Sequence, residues 1–504
     1  MRKLSLLTLV IGALAIAGCG GSSSADDASS PLDNALRYLP ADAPFAVAID
    51  TDTDGEQFRN AGDLADKFPF GDQVEKQLAD LVEDRTGELE DLQQALGNEF
   101  VVGSTDAKSF LDTPSGEDTA FVGAIQAKSE DALDTLIEGD KAEEDGEAEG
   151  AKLYKDDSGD SFAIDGDVLV VAGSKRELEA ALATRNGDDS LTEEHFDAGT
   201  EGMSKDALVR VFVDIGELLR SSPDAKPALK SKWVSALRTG GIALTFEADR
   251  VAIDVDVDTD PDGLTDADLP IASGAGSPRV LDRDGEINLA LRDPSQVLEF
   301  AQTTAKAIDP NGFGSFEAGK AQIERRLGID LDEDLIDQLD GDLQVSIGLN
   351  GKFGARAALK DPAEVQRTLT KLEDVLPSIV AGATGETVDL TRRGDLYEVT
   401  TGSGDRIVFG VVEDVLVLAN DPEIAGTLAT EATKAVAGAK GALVLSTDAE
   451  QIAQKALQQA EGKGFDLGDR IKGAIGTRPL DELLGSFEVT TDGLSGRFSV
   501  TTDD

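Results

Sequence analysis

Two stretches of this chain end in the same way. Residues 242–247 and 251–257 are alternating runs separated by Ala248-Asp249-Arg250, and residues 485–490 and 494–500 are alternating runs separated by a turn at Asp492-Gly493. In the first pair Val251, Ile253, Val255 and Val257 fall on every second residue. That period marks a half-buried antiparallel strand. A short polar turn between two such runs reads as a hairpin, and Asp-Gly is among the strongest signals for one. A chain that closes twice with the same hairpin is constrained to a repeated architecture, and the search for repeats comes before any other reading.

Other blocks match in the same order. Phe45-Ala46-Val47-Ala48-Ile49-Asp50 answers Ile287-Asn288-Leu289-Ala290-Leu291-Arg292, each a strand-like run before a helical stretch. Residues 92–100 answer 335–343 as helix end, turn and strand, with strands expected over 100–103 and 343–348. Ser129 and Asp361 stand at matching places as helix N-caps, the first before Ala132, Leu133 and Leu136. Leu153-Tyr154 answers Leu396-Tyr397, and residues 167–172 answer 414–419. Each of the latter runs leads into a capped helix, with Pro422 suited to a first helical turn. Residues 207–213 answer 442–445.

The expected fold class is therefore α+β: two tandem similar units, each a largely antiparallel sheet with helices packed on it. The first unit spans 39–260 and the second 286–504, joined by a Gly/Pro/Asp-rich linker over 261–285. Residues 139–150 read as a charged low-complexity loop, and the Gly/Ala-rich stretch 381–385 as its counterpart loop.

Ahead of the units lies a different kind of segment. Arg2 and Lys3 precede an apolar run over 4–16, followed by Ala17-Gly18-Cys19 and then Gly20-Gly21-Ser22-Ser23-Ser24. A basic start, a short apolar core and small residues before a cut are the pattern of a signal peptide. The apolar run falls short of the roughly 20 residues that span a bilayer. Ile16-Ala17-Gly18-Cys19 resembles the lipobox of bacterial lipoproteins. The resemblance implies that the Cys19 sulfur carries a diacylglyceryl group, that residues 1–18 are removed, and that Cys19 becomes the N-terminus. Residues 19–38 would then be a flexible tether. Acyl burial at about 0.8 kcal/mol per CH₂ would hold the chain to a membrane. Cys19 is also the one cysteine in the sequence, so an internal disulfide is impossible and the units depend on core burial.

Charge narrows the partners. The sequence carries 99 acidic and 46 basic residues, a net charge of -53, and losing Arg2 and Lys3 with the signal lowers it to -55. Such a surface repels phosphate backbones, which argues against nucleic acid. It also stands off anionic headgroups, so membrane contact would run through the lipid. Aromatic residues make up only 5%, with Trp233 the single tryptophan. Aromatic ligand cages are not expected.

The stretch from Tyr38-Leu39-Pro40-Ala41-Asp42-Ala43-Pro44 into Phe45 resembles the start of a bacterial family of unknown function, DUF3352. The paired helix–turn–strand blocks are also similar to that family. The resemblance would cover nearly the whole mature chain and implies an exported or membrane-attached protein. It brings no catalytic residues.

No complete catalytic motif is present. His195, the single histidine, sits in Ser190-Leu191-Thr192-Glu193-Glu194-His195-Phe196, where Ser190 and Glu193 fit a capping box. It reads as a surface histidine, since a catalytic one needs a nucleophile and an orienting group. Zinc chemistry calls for several His or Cys ligands, which the chain lacks. Asp50, Asp52 and Asp54, and again Asp258, Asp260 and Asp262, match the first half of a calcium loop. The twelfth positions, where a bidentate Glu belongs, are Ala61 and Leu269. Acidic turns at strand ends are the plainer reading, and neither a metal nor a cofactor is assigned. The expected function is a lipid-anchored envelope protein on the outer face of the cell membrane, binding or scaffolding without catalysis. The partner would be an envelope protein, a polymer or an apolar ligand, and the concave face between the units is its natural place. Two alternatives stand beside it: a carrier of an apolar ligand or lipid, and a hydrolase of an envelope polymer that would need carboxylates of raised pKa converging in a cleft.

Overall fold

A computed structural model describes residues 30–68, 97–112, 121–129, 132–133, 142–155, 161–187, 189–274, 276–283, 286–454 and 479–503. Cys19, the signal segment, residues 92–96 and Leu136 lie outside them. The fold is α+β, built on a sheet of 20 strands. The strands of the first half are β1 (Phe45–Ile49), β2 (Phe100–Ser104), β3 (Phe121–Gln126), β4 (Glu143–Ala148), β5 (Ala151–Lys155), β6 (Ser161–Asp165), β7 (Val168–Ala172), β8 (Val209–Asp214), β9 (Leu237–Glu247) and β10 (Arg250–Thr259). A two-stranded ribbon follows from β11 (Val280–Leu281) and β19 (Thr433–Lys434). The rest of the large sheet is β12 (Glu286–Arg292), β13 (Leu339–Gly348), β14 (Phe353–Leu359), β15 (Val388–Arg393), β16 (Leu396–Thr401), β17 (Arg406–Val412), β18 (Val415–Ala419), β20 (Leu443–Asp448), β21 (Leu480–Thr490) and β22 (Gly493–Thr502).

Every pairing among these strands is antiparallel. Side by side they run β4–β5–β6–β7–β3–β2–β1–β8–β9–β10. The row continues β22–β21–β20–β12–β13–β14–β18–β17–β16–β15. Read outward from the β10–β22 contact, the two sides follow the same chain order. Cross-strand details match too. Tyr154 stacks on Phe162 at 5.4 Å and Tyr397 on Phe409 at 5.5 Å, in each case directly opposite in the ladder.

The alternation in β1 sorts its residues between two faces. Ala46 and Ala48 face a core with Val101, Val122, Val170 and Phe212. Helices Pro31–Leu36, Lys175–Arg185 and Glu193–Ala198 close that core with Leu32, Leu36, Leu178, Leu182 and Phe196. Gly103 of β2 is needed beneath them, since a Cβ there would lie 2.6 Å from Leu39 and 2.8 Å from the Phe45 carbonyl. Helix Pro422–Leu428 covers the same face in the second half through Ala425 and Leu428.

Several expectations need correcting. The tether was placed over 19–38, yet Pro31–Leu36 is a helix that packs on β3. Ser30 caps it, accepting the Asp33 N–H at 3.0 Å, and Leu32, Ala35 and Leu36 form its buried stripe. The stripe makes this segment part of the core. The charged 139–150 stretch contains β4, an outer edge strand whose ladder to β5 overrides its composition. Its acidic side chains and a register shift beside Gly146 suit an edge that must not recruit another strand. The 381–385 stretch ends a helix, Leu376–Thr384, with Gly385 in the left-handed conformation that terminates it. Helix Glu193–Ala198 is capped by Thr192, because Ser190 is drawn into a bridge with Pro40. Strand β13 begins at Leu339, ahead of the expected 343, with a register shift before Leu343. Linker 261–285 is clasped: Arg292 donates to the carbonyls of Ala272, Ser273, Gly274 and Gly276, and Leu269, Val280 and Leu281 are fully buried.

Phe212 lies at the centre of the first core, 6.1 Å from Phe196 and 5.3 Å from the His195 ring. Phe212→Ala should lower unfolding stability by about 3–5 kcal/mol in urea titration, whereas a change near zero would show that this core is not the one holding the first half.

Candidate functional site

Three places bear on function. The first is a cleft of about 440 Å³ where β1 ends, lined by Asp50, Asp52, Glu99, Lys205, Asp206 and Arg210 among others. Its walls come from chain crossings at strand ends. The Asp50 N–H donates to the Leu208 carbonyl at 2.9 Å. Thr51, fully buried, donates to the Asn98 carbonyl at 2.5 Å and accepts the Gly97 N–H at 2.8 Å. These bonds fix the acidic turn beside the residues leading into β2 and β8.

Burial pushes the Asp50 carboxyl up to about 6, and the charges of Asp52, Glu99 and Asp206 push the same way against the Asp52 N–H bond that favours ionisation. The two cations nearby are engaged elsewhere. Arg210, almost fully buried, reaches Asp197 at 2.9 Å and lies 5.2 Å from the Phe196 ring, and Lys205 also pairs with Asp197. The hydrolase expectation required a carboxyl of raised pKa among other carboxylates in a cleft, and Asp50 occupies such a place. Among the described residues that line the cleft, none is aromatic.

The calcium-loop candidates are split by the fold. Asp50 and Asp52 turn an Oδ1 onto the N–H groups of Asp52 and Asp54, at 2.8 and 3.3 Å. Asp54 does not line the cleft, and its Oδ1 is buried without a hydrogen bond. In the second set Asp258 accepts from Thr239 at 3.0 Å, while Asp260 pairs with Arg238 and accepts the Asp262 N–H at 3.1 Å. Among the described residues no cluster of three or more acids, histidines or cysteines is placed to hold a metal. His195 stands edge-on to Phe212 and does not line the cleft. Glu99, Lys205, Asp206 and Arg210 were not foreseen, because only the crossing of separate strand ends brings them to Asp50.

The second place is a groove of about 360 Å³ over the β10–β22–β21 strands. Asp254, Ser486, Glu488 and Arg497 line it, with Gly202 from one side and Lys440 from the other. The third is the opposite face of the sheet. Register carries one continuous face from Ile242 and Ile253 through Phe498, Leu445, Leu289 and Val345 to Leu418 and Ile407. Ile242, Ile253, Ile347, Ile407 and Leu418 are 38–42% exposed, and they are the large strand hydrophobics exposed among the described residues. All five lie on this face. The face is covered in part, where Val365 and Leu369 of helix Pro362–Leu372 pack on Tyr397 and Phe409 and where Trp233 and Leu269 pack on Val489 and Leu494. No helix among the described residues is long and apolar enough to cross a membrane.

The raised Asp50 makes a pH prediction. An acid raised in the folded state binds its proton more tightly there than in the unfolded chain. Its ionisation therefore costs stability above about pH 6, and the cost fades as pH falls toward 4. Asp50→Asn should stabilise the chain at pH 8 by about 1 kcal/mol, allowing for partial exposure, and should give no gain at pH 4. Urea titration at both pH values checks this, and an equal effect at both would contradict it.

The cleft, groove and open face can be set beside known proteins. Among solved structures, crystal forms I, III and IV of TP0453 are similar in part. Their sequence identities are 12%, 9% and 11%, covering 47%, 48% and 44% of this chain and 82%, 84% and 80% of theirs, with TM-scores of 0.26, 0.24 and 0.25. No curated protein matches the sequence. The family described as a protein of unknown function, DUF3352, matches residues 4–389. The match stops inside β15, short of the nearly full coverage expected. It still takes in well over half of the sequence, and the chain belongs to the DUF3352 family.

Proposed function

We propose that this protein is a lipid-anchored envelope protein on the extracytoplasmic side of the membrane, and that it works by binding. The observation that carries the binding reading is the open sheet face, where five large exposed hydrophobics share one side of a continuous ladder. An apolar ligand, such as an acyl chain, is the species such a face favours, because its contact releases water from apolar surface without demanding polar partners. The carrier reading is the specific form of this proposal. The anchor rests on the sequence: the basic start, the apolar core, the small residues before Cys19 and the Gly/Ser run after it. The tandem two-unit reading is supported by the strand order that repeats on either side of the β10–β22 contact. A hydrolase reading rests on Asp50 alone. The engagement of Arg210 and Lys205 with Asp197, and a described lining without aromatic side chains, make it the weaker one.

Two outcomes are expected. Cys19→Ser should move the protein from the membrane fraction to the soluble fraction, and unchanged fractionation would end the anchor proposal. A fluorescent fatty acid should bind the full chain saturably, with affinity reduced at least several-fold by Ile253→Asp combined with Ile347→Asp. Phe316→Asp, on an exposed helix site, should leave binding unchanged. Equal loss in both variants, or no saturable binding at all, would remove the open face as the binding surface.

A further inference from the structure

The hairpins that open the sequence argument also define a symmetry. Residues 251–257 answer 494–500, so Asp254 corresponds to Arg497. In the ladder joining β10 to β22, Asp254 stands directly opposite Arg497. Positions around that pair reverse as a twofold axis requires. Ile253 lies opposite Phe498, and their counterparts Gly496 and Val255 lie opposite each other. The joint thus has the form of an isologous interface, in which one patch meets its own equivalent.

At the axis the two equivalents differ in charge. Arg497 Nε lies 3.7 Å from Asp254 Oδ1, and the same guanidinium pairs with Glu247 of β9. The counterpart of Glu247 is Thr490; Arg250 of β10 pairs with Glu247 and Glu488 of β21 shares the face of Arg497, so each side carries both signs and the opposition of charge lies at the axial pair itself. Pairing two first halves from separate chains through β10 would set Asp254 against Asp254 with both Glu247 side chains nearby. Pairing two second halves through β22 would set Arg497 against Arg497. Like charges directly opposite in a ladder destabilise it.

We infer that the Asp254–Arg497 pair at this pseudo-twofold axis selects the partner of each half, directing β10 to the chain's own β22 and rejecting the same edge of a second copy. The inference rests on the two-unit reading. It is independent of the apolar-face reading, because Asp254 and Arg497 point to the opposite side of the sheet from Ile253. The contact between halves also includes apolar packing of Trp233 and Leu269 with Val489 and Leu494 and a bond from Thr259 Oγ1 to the Thr491 carbonyl, and the main-chain pairing itself carries little information about which copy supplies the strand.

The test uses the full chain with Cys19→Ser, refolded from urea at high protein concentration and measured by light scattering after size exclusion. Asp254→Ser/Arg497→Ser removes the charge difference and should give a dimer fraction several-fold above that of the parent. Asp254→Arg/Arg497→Asp keeps opposite charges at the axis and should refold as monomer like the parent. Asp254→Cys with Arg497→Ser, refolded with oxidised glutathione as the electron acceptor, should form an interchain disulfide, since pairing of like strands sets residue 254 against itself. The inference is overturned if the double-serine variant stays as monomeric as the parent, if the charge-exchanged variant dimerises equally, or if the cysteine variant gives dimers without the disulfide.

Discussion

The ladder between β10 and β22 is the contact on which the rest depends. Without it the sheet would end in two long unpaired edges of ten residues each, rows of open N–H and C=O groups on which another strand can pair. With it, both edges vanish into the interior of the row. The outermost strands that remain are β4 and β15, where acidic or basic side chains are mostly exposed. The architecture thus places its most strand-prone sequence at the centre and its most charged sequence at the rims.

The core explains how this is stable without disulfides. On one face, small residues of the strands lie under short helices, and Gly103 and Gly354 are open enough to receive Leu39, Ile424 and Leu428. The three helices over the first core are individually modest, six to eleven residues, and their stability comes from apolar side chains docked on the sheet. On the other face the central strands carry larger side chains, and these remain partly open. That side is covered in part, by helix Pro362–Leu372 over Tyr397 and Phe409 and by Trp233 and Leu269 over Val489 and Leu494, and the exposed hydrophobics lie between these covers.

Much of the fold was legible in the sequence because its strands alternate cleanly. The hairpins at 242–257 and 485–500 and the caps Ser129 and Asp361 are local signals, readable as such. Local composition misled where a tertiary ladder or stripe decided the outcome. Glu143–Ala148 is acidic yet paired, and Pro31–Leu36 is short yet buried. The candidate sites were less legible still. Asp50 was readable as a turn acid, but Glu99 and Asp206 reach it only through crossings of the sheet. The shared exposure of Ile242, Ile347 and Ile407 needs the whole register, since single alternating strands do not reveal which face is left uncovered.

The position of β22 has a consequence in time. It is the last strand among the described residues, and its partner β10 is complete more than 200 residues earlier. During synthesis β10 must wait as an exposed margin until β22 arrives, and non-local closure of this kind is slow. Asp254, Asp256 and Asp258 lie along that waiting strand, and burial in the finished sheet pushes all three carboxyls up. While the margin is still wet they are simply charged, and a charged margin resists premature partners. The acids that cost something in the completed sheet act earlier as a guard for the unfinished one.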